Sequence, residues 1–544
     1  MRRFLIARRP GWPGFPAVLA SLAAVAAGLS ACGHTPTLLT AQGKPDLTYA
    51  TGDWSIQPSA TLRWQHCPGR LTIVRCARLS VPADYTRPHG RKIALALVDF
   101  PATGPASQRL GPLLVNPGGP GESGLEEALT VRALLPRSLS ARYDIIGFDP
   151  RGVGHSLPVL HCDPSFFDRP QPPDQPASRT AERARVRLAR AYAADCERRA
   201  GGLLPHMTTA DSARDLDAIR AALGVPKISY LGYSWGSYLG EVYATLFPGH
   251  VRRMALDSIV SPGGMSYQFY LGQRDRLFQD RLTAFFTWVA QHDEVYRLGR
   301  TEAAVEAQYQ LAQRRLAAHP VAAGQGPPIG PDGLAGILVS GAGYADLLWP
   351  DAASMLSDYL HSTKSGLLVR LYRALNLTEN NTAAFSAVAC SDMAWPRNWA
   401  RWDADTRRAA VTAPWLAWEI TWGLAPCAFW PVRGPARPMP IGAQGLPGIL
   451  LLQGTLDAAT PYAGALAARR ALPSARLVVV TGGGTHGQSL ALPADRCADG
   501  YLTRYLATGA LPSGASLVSA TCAAPAPVPP LRVPEPASPS AGSG

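Results

Sequence analysis

The chain has 544 residues, 47% hydrophobic and 17% charged, which is enough apolar sequence for a large core and too little charge for an intrinsically disordered protein. Its net charge of +13 would suit a nucleic-acid partner, but the arginines are scattered, with no long basic block and no interleaved aromatic platform. The composition therefore argues against nucleic-acid binding and leaves attraction to an anionic membrane surface as the milder consequence of the charge.

Arg2, Arg3, Arg8 and Arg9 precede an apolar run over residues 15–29 that ends in Leu29-Ser30-Ala31-Cys32. This pattern predicts a signal peptide over 1–31 followed by a lipobox in which Cys32 is lipidated and becomes the mature N-terminus; cleavage after Ala31 without lipid is the alternative. The protein is thus expected to be exported and tethered to the outer face of the cytoplasmic membrane, or also secreted. Residues 32–60 are polar and aperiodic, as a spacer would be. Setting Cys32 aside, Cys67, Cys76, Cys162, Cys196, Cys390, Cys427, Cys497 and Cys522 form an even set. In an exported chain they are expected to pair as neighbours in sequence, although spacing alone does not fix connectivity. None has Cys-x-x-Cys spacing, and nothing in the sequence calls for a metal or an organic cofactor.

Folding signals begin near residue 61. Residues 92–100 alternate as a strand, and 111–115 form a short buried one that runs into Asn116-Pro117-Gly118-Gly119-Pro120-Gly121-Glu122-Ser123-Gly124. A phosphate-binding loop would need a Gly-Lys-Ser/Thr ending, and a dinucleotide fold an acid after the following strand; neither is present. The remaining reading is one half of an oxyanion hole, with the Gly119 amide as donor. A strand over 143–148 leads to Asp149, Arg151 and His155 in a Gly-rich turn, read as a local Asp149–Arg151 ion pair and a structural histidine. Helical stretches over 183–199 and 210–223 follow, with Thr209 and Asp211 as capping residues.

The β-branched and aromatic run 228–231 stops at Gly232. A helical apolar pattern at Tyr238, Leu239, Val242, Tyr243 and Leu246 begins just after Ser234. Gly232 and Gly236 flank Ser234, as a strained strand-turn-helix needs if the serine oxygen is to stand clear, and the new helix offers the Trp235 amide to an oxyanion. A further strand, 251–256, ends at Asp257-Ser258. From about 261 to 440 the sequence is helical, with tryptophans at 395, 399, 402, 415, 418, 422 and 430, and is predicted to be a lid whose aromatics serve as core or as pocket wall.

Strand signals resume at 449–453, followed by Asp457 in a loop with Thr460 and Pro461 placed to start the next helix. The last core strand, 476–480, runs into Thr481-Gly482-Gly483-Gly484-Thr485-His486-Gly487. Ser234, Asp457 and His486 come in the chain order of an α/β-hydrolase triad, with Asp257 as the rival acid. The predicted architecture is an α/β-hydrolase core in two parts, 61–260 and 441–522, with the helical lid 261–440 inserted after the nucleophile half. A helix near 496–506 closes it, and a disordered Pro- and Ala-rich tail occupies 523–544.

With these motifs in place, the chain resembles the tripeptidyl-aminopeptidase group of α/β-hydrolases, secreted and envelope-bound serine exopeptidases of actinobacteria. It is also similar to the mycobacterial lipid-anchored serine hydrolases of that group. The matching stretches are 76–85, 116–124, 148–156, 232–236, 387–392, 427–431, 457–461 and 485–487. The resemblance implies cleavage of peptide or protein substrates from a free N-terminus. It departs at Ala290 and Tyr296, where similar proteins carry a cysteine pair. An exopeptidase also needs a carboxylate for the substrate ammonium, and Asp392 and Glu419 in the lid are the candidates. An envelope carboxylesterase or lipase would share the triad and differ in the pocket. A lipid-anchored binding protein without turnover is a further alternative.

Overall fold

The computed structural model describes residues 54–531 apart from 69–72, 170–171, 325–326, 363–364, 376 and 493. The expected signal peptide, Cys32, most of the spacer and residues 532–544 lie outside the described residues.

The strands are β1 (Gln65–His66), β2 (Arg75–Pro82), β3 (Lys92–Phe100), β4 (Gly111–Asn116), β5 (Tyr143–Phe148), β6 (Ile228–Tyr233), β7 (Val251–Asp257), β8 (Ile449–Gly454), β9 (Arg476–Thr481) and β10 (Ala520–Ala523). They make one ten-stranded sheet in the order β1-β2-β3-β5-β4-β6-β7-β8-β9-β10, antiparallel up to β5 and parallel from there on. The parallel strands read as unbroken apolar runs because both faces are covered. On β4, Leu113 and Val115 face one layer and Leu114 the other; on β8, Leu450 and Leu452 oppose Leu451. Helices α1 (Gly124–Leu134) and α14 (Arg496–Thr508) cover one face, while α3 (Thr209–Ala222), α4 (Trp235–Leu246) and α13 (Tyr462–Ala471) cover the other. The long α2 (Arg179–Ala200) belongs to that second layer through Tyr192, Ala193 and Cys196.

Between β7 and β8 the chain is almost entirely helical and divides into two parts by packing. Helices α5 (Asp275–Ala290), α6 (Glu302–Ala318), α7 (Pro331–Leu338), α8 (Trp349–His361) and α9 (Gly366–Leu375) share a core of their own built on Phe278, Phe285, Tyr309, Ile337 and Leu356. In contrast, α10 (Glu379–Asp392), the segment leading into α11 (Trp399–Ala409), α11 itself and the residues after α12 (Ala417–Leu424) merge with the main core through Ala383, Ala387, Trp395, Trp402 and Trp430. Trp399 stacks between Trp402 and Trp422, and Trp418 stacks on Trp422, so these tryptophans form a ladder. Trp415 instead packs edge-on against Tyr309.

The cysteines pair as 67–76, 162–196, 390–427 and 497–522. Three local expectations are corrected. Arg151 does not pair with Asp149; its guanidinium is fully buried and forks onto Asp215 at 2.7 and 2.8 Å, because Asp149 is occupied by the Ser123 hydroxyl and the His155 amide. The cap of α3 is Thr208, one residue earlier than expected, which leaves the Thr209 side chain free for a different task. Residues 523–531 are not a disordered tail: Ala523 completes β10, the Ala524 amide donates to the Thr481 carbonyl, and the segment then crosses to the lid. There Trp288 Nε1 donates to the Val528 carbonyl and the Leu531 amide to the Tyr296 hydroxyl. A proline-rich stretch with no core of its own is held by its neighbours' polar groups and by the Cys497–Cys522 link just before it.

Candidate active site

Ser234 sits between the end of β6 and the start of α4 at φ 56 and ψ −127, a backbone conformation costly for a residue with a side chain. Its neighbours explain how the turn closes. A Cβ on Gly232 would lie 2.3 Å from the Gly236 carbonyl oxygen, and one on Gly236 would lie 2.6 Å from the Asn116 carbonyl. The turn is held from below by the Ser234 amide on the Asp257 carbonyl, and by Ser237, whose hydroxyl donates to the Ser234 carbonyl at 2.6 Å. The Trp235 amide belongs to the first turn of α4, where no intrahelical acceptor exists.

The loop after β4 lies directly on this turn. A Cβ on Gly118 would come within 2.7 Å of the Ser234 Cβ and 2.9 Å of the Trp235 nitrogen, so no side chain fits there. The Gly118 amide is already committed to Asn116 Oδ1 at 3.1 Å. The Gly119 amide, expected as the loop's donor to an oxyanion, follows directly. Lid helix α10 clamps the same loop through Asn381, whose amide donates to the Gly121 carbonyl at 2.7 Å.

His486 Nδ1 lies 2.9 and 3.0 Å from the two carboxylate oxygens of Asp457. Asp457 is 1% exposed and also accepts from the Ala459 and Thr460 amides and the Thr460 hydroxyl. Burial alone would raise its pKa, but the adjacent imidazole, the His486 hydrogen bond and the Thr460 amide together hold it below the ordinary carboxylate value. Thr460 thus anchors the acid, and Pro461 is the cap of α13. Asp257 serves another purpose: it accepts from the amides of Gln488 and Ser489 and from the Ser489 hydroxyl, and so fixes the loop just beyond His486. Burial pushes its carboxyl up to about 6 despite those bonds. Ser258 accepts from the Gly487 amide at 2.7 Å. His486 Nε2 is buried with no hydrogen-bond partner among the described residues, and Asp257-Ser258 links its loop to the nucleophile turn, the Gly487 amide donating to the Ser258 hydroxyl and the Ser234 amide to the Asp257 carbonyl. This arrangement is chemically equipped to move a proton between a serine hydroxyl and a leaving group while two backbone amides receive negative charge.

Sequence reasoning missed the lid's hold on His486. The His486 amide donates to the Tyr344 carbonyl at 2.7 Å, and the Tyr344 ring meets the imidazole edge-on at 5.3 Å. The Tyr344 hydroxyl is bonded to Arg274, which lies over Tyr270 and Phe278. Tyr344 sits in a Gly-rich helical break that looks like any other lid loop in sequence.

The two lid acids separate. Asp392 is engaged on both oxygens by the amide and hydroxyl of Thr209, which in turn accepts from Trp235 Nε1 at 2.9 Å. It therefore braces the nucleophile helix through Thr209. Glu419, at the start of α12, makes no hydrogen bond or ion pair among the described residues, and its Oε2 is buried. Burial and the nearby Asp174 and Asp332 push its carboxyl far above the ordinary value, and Arg274 opposes them. Asp174 and Asp332 already share Arg185. Arg274 acts electrostatically on both Glu419 and Asp457.

Residues 111–490 match the family described as alpha/beta hydrolase fold. The tripeptidyl aminopeptidase of Streptomyces coelicolor is 39% identical, covering 85% of this chain and 86% of the relative. Serine protease Hip1 of Mycobacterium tuberculosis is 34% identical, over 81% of this chain and 86% of that one. A Mycobacterium tuberculosis protein named carboxylesterase B is 31% identical, over 88% and 93%.

Proposed function

The chain belongs to the α/β-hydrolase family, and from that premise we propose that it is a serine peptidase that releases short peptides, tripeptides above all, from free N-termini. The observation that supports this reading is the buried Asp457–His486 pair with Nε2 left unpartnered, on a loop that Asp257-Ser258 ties to the Ser234 turn. His486 takes the Ser234 proton as Oγ attacks the scissile carbonyl, Asp457 holds the imidazole, and the Trp235 and Gly119 amides receive the oxyanion. His486 then returns the proton to the departing amine, and water frees the acyl group by the reverse sequence.

Glu419 is the residue we assign to the substrate ammonium. An unpaired acid in a partly closed cleft is costly, and an arriving cation offsets that cost. Digestion of peptides with free N-termini, read by mass spectrometry, is expected to yield N-terminal tripeptides. Glu419→Gln should raise KM at least tenfold for these peptides, while N-acetylated peptides resist both enzymes. Release of single residues or internal fragments would overturn the tripeptide assignment.

An esterase reading draws its support from the 31% identical relative named carboxylesterase B. Export and lipidation of Cys32 rest on the first 32 residues and agree with a chain whose remaining cysteines pair. Globomycin treatment of cells, with a mobility shift of the precursor, tests the lipid anchor. Loss of the shift in Cys32→Ala is the expected result.

A further inference from the structure

A cavity of about 440 Å³, part of it open to solvent, is lined by the His486 loop, the lid and the C-terminal strap. Residues 483–485 and 487–488 of the glycine-rich loop form one wall, and 524–526 and 528 of the strap another. Asp346 from the lid and Asp495, the cap of α14, complete the lining. Asp495 is 6% exposed. Its Oδ1 accepts from the Cys497 and Ala498 amides, but its Oδ2 is buried with no hydrogen-bond partner among the described residues. A carboxylate oxygen withdrawn from water and left unbonded is costly, and a ligand in the cavity would remove that cost.

The walls are rich in acceptors. Glycine, alanine and proline leave the main chain bare there, and Pro525, like Pro527 beside it, has no N–H to donate. Among the described residues, no lysine or arginine lines the cavity. Arg281 comes close, since a Cβ on Gly484 would strike its guanidinium, but that guanidinium is already bonded to Asp346. Arg496, next to Asp495, is exposed, and Asp499 adds a carboxylate that accepts from the Leu490 amide. The N-terminus of α14 carries about half a positive charge, which offsets only part of the Asp495 charge. The ligand that fits is therefore a cation. Among the described residues no three acid, histidine or cysteine side chains gather as a divalent or transition-metal site requires, so one unpaired carboxylate oxygen with main-chain oxygens suits a singly charged ion.

We infer that this cavity binds a small monovalent cation, sodium, potassium or ammonium, on Asp495 Oδ2 and main-chain oxygens around it, and that the ion ties the strap to the His486 loop. The loop already has a hold on the lid, because the Asp346 amide donates to the Thr485 hydroxyl at 3.4 Å, and the Gln488 side chain closes on the Thr485 carbonyl. The ion adds the strap to this set and steadies the segment that carries the imidazole. It needs no substrate, so the inference stands apart from the peptidase reading.

The test measures Tm and amide hydrogen exchange of the purified protein in sodium, potassium or ammonium chloride. Each is compared at equal ionic strength with tetramethylammonium chloride, whose methyl groups bar close approach to an oxygen. At least one of the three ions is expected to raise Tm saturably, by about 1–3 °C. At ten times its Kd it should slow exchange over 483–488 and 524–528 about tenfold. A larger gain with sodium or potassium than with ammonium identifies a coordinated metal ion, and the reverse order a hydrogen-bonded ammonium. Asp495→Asn keeps the Oδ1 cap but sets an NH2 donor in place of Oδ2, and should abolish the gain. Equal Tm in all four salts, or a gain that survives in Asp495→Asn, overturns the site. Should that variant fail to fold, exchange in the parent decides: slowing confined to the two segments supports the site, and slowing spread evenly over the sheet overturns it.

Discussion

Two acids compete for the imidazole on sequence grounds: Asp257, which ends β7, and Asp457, in the loop after β8. The geometry separates their tasks: Asp457 binds the ring of His486, and Asp257 binds the amides just after it. Asp457→Asn is therefore expected to lower kcat by roughly four orders of magnitude, through the wrong imidazole tautomer. Asp257→Asn should chiefly lower thermal stability, by about 1–3 kcal/mol for the buried amides it leaves short of an acceptor. Titrated kcat and thermal unfolding on both variants check this, and a larger kcat loss at Asp257 would reverse the assignment. The acids on α1 give a second prediction. Glu126 rises from an ordinary value of 4.5 to about 8 on folding, so the stability of its neutral form is present below 4.5 and is lost as pH rises through 8. Glu126→Gln, neutral at every pH, should gain in Tm over the parent between about 4.5 and 8 and hold that gain above. A difference independent of pH would contradict the burial of this carboxyl. The residues proposed as the triad stand out in sequence because each follows a core strand and is flanked by small or turn-forming neighbours. Asp392 and Glu419 were not separable, since which acid is already hydrogen-bonded depends on residues about 180 positions away, such as Thr209.

At the scale of elements, the strands could be read because burial on both faces writes continuous β-branched and aliphatic runs, and the nucleophile helix because its apolar period starts at a defined glycine turn. Errors fell where one residue had several partners in reach. Thr208 and Thr209 are equally good caps in sequence; Thr208 caps α3, and Thr209 is drawn instead to Trp235 and Asp392. The connection between lid and His486 was invisible because it runs through a main-chain carbonyl, which carries no sequence signature. Tyr344 supplies that carbonyl and an edge-on ring contact at 5.3 Å. Tyr344→Ala should lower kcat by about two- to tenfold, the value of one aromatic contact, with a smaller change in KM. A change confined to KM would show that Tyr344 touches substrate only.

For the molecule as a whole, the links between core and lid include the lid's insertion between β7 and β8, the α10 clamp on the oxyanion loop, the Tyr344 carbonyl on the His486 amide, and the C-terminal strap. The strap leaves the sheet edge at β10 and ends against Trp288 and Tyr296. Removing residues 524–544 should speed amide hydrogen exchange in α5 and around 293–296 while leaving β4 and β6 protected; unchanged exchange in α5 would mean that the strap carries no load. The proline-rich composition of this segment concealed its role, because an extended chain without a core reads as disorder until its partners are known.

The central claim, hydrolysis at Ser234 of peptides with a free N-terminus, is tested most directly with three substrates on the parent and Ser234→Ala. The substrates are a tripeptide p-nitroanilide with a free amine, its N-acetyl form, and p-nitrophenyl butyrate. The account predicts efficient cleavage of the free-amine peptide alone and none by the variant. Turnover of the butyrate with neither peptide cleaved would contradict it and make the protein an esterase.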